Sequence, residues 1–229
     1  MMEADNNPRA ARAAVADDFP AAADAEAFRQ VAEMNLRGLR VLRDALLEGR
    51  GLDIPAAAKL RERWLALDDA ALQRVADAPF LLFELSLDAA LAAQRASRLA
   101  VGDDPRRATL WCARAQGRAF ARLLCHFAWQ TSRTAPSAAV LLLGVSPAGG
   151  AALRSLGLQQ LDAFTEIAGD WLTLRWGDEP QLWSARLAAA AAGDPDRLWR
   201  DTRHGLQRLA ALAGPPVARQ AAARPSPPR

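Results

Sequence analysis

Few side chains in this sequence carry the chemistry of a reactive site. The cysteines are Cys112 and Cys125, and the histidines are His126 and His204. Thiol catalysis needs a thiolate and a base within hydrogen-bond reach of each other. Cys125 and His126 are neighbours in a stretch that reads as helix, so their side chains point about 100° apart and cannot form that pair. Cys112 and Cys125 stand beside Trp111 and Phe127 and read as buried apolar packing. His204 is isolated and reads as a surface residue. No paired-carboxylate, phosphate-loop or metal-ligand spacing occurs. The expectation is a protein that is not an enzyme, with no catalytic residues, no cofactor and no metal.

Recognition chemistry is better represented. Arg107, Arg114, Arg118 and Arg122 recur at close to one-face spacing, and so do Arg197, Arg200, His204 and Arg208, with Trp199 adjacent. Either row can track phosphates, with Arg114, Arg118, Arg197 and Arg200 as the candidate contacts. A solvated face balanced by acids such as Asp196 and Asp201 is the favoured reading. A helix–turn–helix can be drawn from Pro147–Ser155 and Leu158–Ala168. Gln159 and Gln160 suit base readout at the start of its second helix. Asp162 and Glu166 would repel phosphates, and no Arg or Lys lies between Leu156 and Leu174, so a packed helical hairpin is the better reading. The chain has seven tryptophans and no tyrosine. Trp171, Trp176 and Trp183 cluster and are candidate partner-binding residues, since Trp is enriched at binding hot spots. Core filling between two halves of the molecule competes with that role and weighs slightly more.

These residues need a scaffold, and the composition supplies one. The chain has 229 residues, 51% hydrophobic and 24% charged, enough to bury a core. The net charge is +3, and lysine occurs only at Lys59. Arg219, Arg224 and Arg229 lie in an acid-free terminal stretch, which leaves the body near neutral. That is not the concentrated basic stripe of a nucleic-acid binder. The acidic N-terminal residues have no apolar run and do not read as a signal peptide. The apolar runs Ala138–Leu143 and Leu187–Ala192 are too short to span a membrane. Two unpaired cysteines suit a reducing compartment. The expectation is a soluble cytoplasmic protein.

The punctuation is helical. Asp53/Pro55, Asp104/Pro105 and Asp194/Pro195 read as helix starts. A first helix is expected over Ala23–Leu47, with Phe28, Val31, Asn35, Leu39, Leu42 and Leu46 as its core stripe. Gly49 and Gly51 end it. A long helix after Asp104 is expected to carry Leu110, Trp111, Phe120, Leu124, Phe127 and Ala128. It ends near Thr134, because Pro136 disfavours helix at Ala135. Two last helices are expected over Glu179–Ala192 and Pro195–Ala213. Phe80–Leu85 and Trp171–Trp176 break the helical period and read as short strands or extended connectors. Residues 1–22 read as a disordered leader and 214–229 as a disordered Pro/Arg tail.

The two extended stretches stand in a repeated context. GLDIPAAAKL at Gly51–Leu60 parallels GVSPAGGAAL at Gly144–Leu153. After two extra residues in the first segment, the match continues at a constant offset. Leu65-Ala66-Leu67 aligns with Leu156-Gly157-Leu158, and Ala76 with Ile167. Phe80 aligns with Trp171, Leu81 with Leu172, Phe83 with Leu174 and Leu85 with Trp176. Asp88 aligns with Glu179 and Leu91 with Leu182. A long helix precedes each segment. The chain therefore divides into helical units at 23–101 and 104–213. A repeated unit buries its apolar face on its twin, and the extended stretches would then pair about a pseudo-two-fold axis.

The second unit resembles the FlhD family, the non-enzymatic subunit of the bacterial flagellar master transcription regulator. The residues that carry this are the helix end Ala138-Ala139-Val140-Leu141-Leu142-Leu143-Gly144, then Leu156, Leu158 and Leu161. Leu172, Leu174, Arg175, Trp176, Asp178 and Leu182 follow. The resemblance covers Phe127 to Leu187. It departs in chain length and in lacking a cysteine at Trp171–Thr173, where family members often carry one. It implies an all-α fold of two FlhD-like units, each with one short extended segment, as a homodimer or a pseudo-dimeric monomer. It also implies a role in transcription control through a protein partner, with DNA reached only in a complex and no membrane. A helical interaction or assembly protein with no nucleic-acid role is the alternative.

Overall fold

The computed structural model describes residues 22–85 and 111–213. The expected leader and tail, the boundary at 101–104, and Asp88, Leu91, Asp104, Arg107 and Leu110 lie outside the described residues. The described chain forms ten α-helices and one two-stranded sheet. The helices are α1 (Ala22–Leu47), α2 (Pro55–Lys59), α3 (Arg61–Ala66), α4 (Asp69–Ala76), α5 (Ala115–Thr134), α6 (Pro136–Leu143), α7 (Pro147–Ser155), α8 (Leu158–Ala168), α9 (Pro180–Ala192) and α10 (Pro195–Ala213). Strand β1 (Phe83–Leu85) follows α4, and β2 (Leu172–Leu174) follows α8 through a 3-10 turn at Gly169–Trp171.

The stripe of α1 points inward as its spacing dictates: Val31, Leu39, Leu42 and Leu46 are fully buried, and Phe28 packs at the edge of the same core. Asn35 belongs to this stripe although it is polar. It is 0% exposed, and its amide donates to the carbonyls of Ala76 (3.2 Å) and Phe80 (2.9 Å) while its oxygen accepts from the Leu82 amide at 2.8 Å. Every bond goes to the link between α4 and β1, so one buried side chain ties that link to the first helix. A buried amide with its partners satisfied carries little cost, whereas one deprived of them is expensive.

The sheet joins the two halves of the chain. β1 and β2 run antiparallel, with Phe83 opposite Leu174, Glu84 opposite Thr173 and Leu85 opposite Leu172. The Arg175 amide extends the ladder to the Leu82 carbonyl at 2.8 Å. Helices α3 and α4 pack on α1, and α7 and α8 pack on α5. α1 and α5 touch each other, α9 crosses to α2 and α4, and α10 covers α6 and α9. A single cluster of buried apolar residues runs through both expected units. No single helix among the described residues is long and apolar enough to cross a membrane, and the apolar helices α6 and α7 bend by 118° at their junction.

Two sequence expectations are corrected. Asp53 does not cap α2; the N-cap is Ile54 without a side-chain bond, and Pro55 at the first position sets the helix start. The helix that carries Phe120, Leu124, Phe127 and Ala128 starts at Ala115, so Trp111, expected within it, lies with Cys112 in the turn before it. Gly117 is the reason this turn folds back, since a Cβ there would stand 2.3 Å from the Cys112 Cα. α3 and α7 each end at a buried leucine in extended conformation, Leu67 (φ −68°, ψ 127°) and Leu156 (φ −69°, ψ 126°).

Candidate functional site

The geometry around β2 is set by one arginine. Arg175 is 1% exposed, a burial that arginine almost never reaches without partners. Its Nε donates to the Leu81 carbonyl at 2.7 Å, and its Nη2 donates to the carbonyls of Leu143 (2.6 Å) and Phe83 (3.3 Å). Nη1 stands 3.7 Å from the Glu84 carboxylate. The guanidinium thus gathers the end of α6, the approach to β1 and β1 itself. Burial pulls its pKa below the ordinary arginine value, and Glu84 partly offsets this. Gly144 ends α6 at φ +62°, and a Cβ there would lie 2.3 Å from Arg175 Nη1. Glycine is therefore required by conformation and by space. The sequence carries Arg175 only as part of the resemblance; nothing local marks it as buried.

Tryptophans close the same ladder. The Trp183 indole donates to the Arg175 carbonyl at 2.9 Å, and the Trp111 indole donates to the Leu172 carbonyl at 3.1 Å. Trp183 packs on Trp64 with ring centres 5.2 Å apart, and Trp111 stacks on Phe83 at 5.3 Å. Trp183 is 0% exposed, so it is core and presents no surface to a partner. Trp171 and Trp176 are half-buried. Trp176 takes φ +52° in the turn after β2. Its ring lies edge-on to Phe80 at 5.7 Å and beneath the Arg208 guanidinium at 5.0 Å. Arg208 also forks onto Glu179 at 2.8 and 2.5 Å. That fork holds the Glu179 carboxyl below its ordinary value and raises Arg208. Of the three candidate partner-binding tryptophans, the structure leaves surface on two; Trp176 also holds the turn that leads into α9, and Trp171 packs against the core from the 3-10 turn before β2.

A second buried arginine, Arg186 on α9, donates to the Val75 carbonyl at 2.8 Å. Burial brings its pKa down to about 10 and raises that of Asp201 on α10. Arg186 Nε and Asp201 Oδ2 are both buried without a hydrogen-bond partner.

The candidate phosphate contacts do not converge. Arg197 pairs with Asp194 at 3.3 Å, and Arg200 donates to the Asp196 carbonyl at 3.3 Å, both on the exposed face of α10. Arg114 is the N-cap of α5 and lies 3.4 Å from Glu48. Arg118 faces a groove between α1, α5 and α8, of about 590 Å³, together with Arg37, Arg122 and His126. Arg37 comes from the other half of the chain and went unnoticed in the sequence, where it is one charge on the outer face of a helix. A smaller cleft of about 410 Å³ lies beside it, lined by Asp44, Glu48, Arg50 and Arg114 among others.

The helices drawn as a helix–turn–helix form as expected, but their exposed groups are used locally. Gln160 accepts from the Gly157 amide at 2.9 Å, and Glu166 pairs with Arg122. Leu161, Phe164 and Thr165 are buried on the inner side of the second helix. Both cysteines are buried, and burial pushes each thiol up to about 12. Cys112 Sγ donates to the Gly169 carbonyl at 2.7 Å. Among the described residues no group of three His, Cys, Asp or Glu stands close enough to hold a metal ion.

Compared with family models, with curated proteins and with solved structures, the chain matches none of them.

Proposed function

We propose that this chain is a non-enzymatic regulatory or adaptor protein, a fused pseudo-dimer of two FlhD-like units that acts in transcription control through a protein partner. The observation that carries the reading is the register of the central ladder. Phe83 aligns with Leu174 in the internal repeat, and these two residues face each other. A two-fold axis through an antiparallel ladder requires one position to face its own equivalent. Further support comes from the glycines that precede a helix in each half. Gly51 and Gly144, both left-handed (φ +74° and +62°), each precede a helix opened by proline, at Pro55 and Pro147. Each half then places a helix and an extended segment in the same order.

Contact with a protein partner fits the apolar residues left at the surface: Leu47, Leu52, Leu158 and Trp199. Arg197 and Arg200 bond Asp194 and Asp196 at the start of α10, and Arg208 bonds Glu179; with these arginines engaged by the chain itself, DNA is reached only in a complex. The same exposed leucines favour the alternative, a helical assembly protein without a nucleic-acid role.

Sedimentation or light scattering of the purified chain at micromolar concentration tests the pseudo-dimer, which behaves as a monomer. A complex isolated from native extract then tests the role. The complex shifts duplex DNA with steep salt dependence, and the chain alone does not. A chain that forms a stable homodimer through the same ladder refutes the fused pseudo-dimer. A stoichiometric complex that leaves DNA unshifted at low salt refutes transcription control and favours assembly.

A further inference from the structure

We propose that the groove between α1, α5 and α8 is a binding site for a small phosphorylated ligand of nucleotide size. Its basic groups come from separate parts of the chain: Arg37 from α1, and Arg118, Arg122 and His126 from α5. Arg118 and Arg122 are one helical turn apart, which sets their side chains side by side on one face. Guanidinium forks match phosphate oxygens in pairs, and charge-assisted bonds of this kind are the stronger ones.

The charge in the groove is not cancelled internally. Glu166 is its one lining carboxylate, and it is paired with Arg122. Arg37 and Arg118 have no carboxylate partner among the described residues; the side-chain bond from Arg118 goes to the Ala113 carbonyl at 2.6 Å. Two guanidiniums from different helices therefore face the same space with positive charge to spare. Glu33 lies one turn from Arg37 on α1 but does not line the groove.

The histidine narrows the ligand class. His126 Nδ1 lies 2.8 Å from the Arg122 carbonyl. A carbonyl only accepts, so Nδ1 is the donor to it and Nε2 is the nitrogen left for a ligand. A ring nitrogen beside two cationic forks suits a polar group close to a phosphate, as in a ribose phosphate. Leu123 and Ala119 add an apolar wall. The volume, about 590 Å³, falls within the range of small-molecule sites.

The positive charge is also local. Arg114, the next arginine toward the helix start, is close to Glu48, and Asp162 and Glu166 stand on the exposed side of α8. A long polyanion would run onto these acids, whereas a compact one would not. The inference does not depend on the adaptor reading.

The test is calorimetric titration of the full chain with ADP at about 50 mM salt, where screening is weak. The double variant Arg37→Ala/Arg118→Ala, at two exposed positions, is expected to bind ADP at least tenfold more weakly while keeping the parent melting temperature. Arg197→Ala, an exposed arginine outside the groove, is expected to bind as the parent does. Three results overturn the proposal: no ADP binding at millimolar concentration, binding that survives the double variant, or a 20-base-pair duplex that binds tighter than ADP and is lost with the same substitutions. The last would make the groove a nucleic-acid surface.

Discussion

Replacing Arg175 by methionine sets two effects of opposite sign against each other. The substitution removes three hydrogen bonds from a side chain that is 1% exposed. Each buried carbonyl left without a donor costs about 1–3 kcal/mol. Three of them would cost roughly 3–9 kcal/mol if none found another donor. Against this, methionine does not have to be stripped of water as a cation is, and burial disfavours the charged form of Arg175. Apolar replacement of a complete buried ion group is neutral or even stabilising by about 1–4 kcal/mol. Here the carbonyls are backbone and stay in place, so the loss wins. Arg175→Met is expected to destabilise the chain by about 2–4 kcal/mol.

Gly144 turns this into a sharper test. Gly144→Ala forces a side chain onto φ +62°, which costs about 1–2 kcal/mol. Its Cβ would also press on Arg175 Nη1 at 2.3 Å and on Cζ at 2.6 Å. Arg175 cannot retreat without releasing its carbonyls. With methionine at 175 that collision is gone, and the double variant is expected to lose about 1 kcal/mol less than the sum of the single losses. Urea unfolding followed by tryptophan fluorescence supplies the midpoints and slopes. An Arg175→Met chain as stable as the parent, or single losses that add within about 0.5 kcal/mol, would refute the account.

Other expectations follow from the same geometry. Asn35→Ala strands the Leu82 amide and the Phe80 carbonyl, while the Ala76 carbonyl keeps the Ala78 amide, and is expected to cost about 2–4 kcal/mol in urea unfolding. Trp183→Ala empties a fully buried site against Trp64, with an expected loss of about 3–5 kcal/mol in the same measurement. Glu179 has a folded-state pKa below its unfolded value because Arg208 bonds it. Its contribution is complete above the ordinary carboxylate pKa of 4.5 and disappears as pH falls through the folded value. Glu179→Gln is therefore expected to cost no more than about 1 kcal/mol near neutrality, since the pair is partly exposed. Its melting temperature should fall less than the parent's on acidification below that pKa. Both thiols, pushed up to about 12 by burial, are expected to react with a thiol reagent at pH 8 far more slowly in the native chain than in urea.

Helical character, the inner stripe of α1, the break at Thr134 and the ends of the last two helices were legible in the sequence. Periodicity, proline and glycine act over a few residues, so local reading suffices for them. The same logic failed at Asp53, which does not cap its helix, and at Trp111, which packs in a turn where the apolar spacing had placed it in a helix.

The amino-acid sequence alone determined which segments are helices and which faces of them are apolar, because hydrophobic spacing and chain-end signals operate within a turn or two. The tertiary structure alone decided that Arg175 is interior, that Trp183 is core, and that Arg37 shares a groove with Arg118. The Arg175–Leu81 bond spans 94 residues of chain, and such contacts exist only after distant segments have met. An arginine or a tryptophan is buried or exposed according to the carbonyls and rings that the fold brings to it, and no neighbour in sequence carries that information.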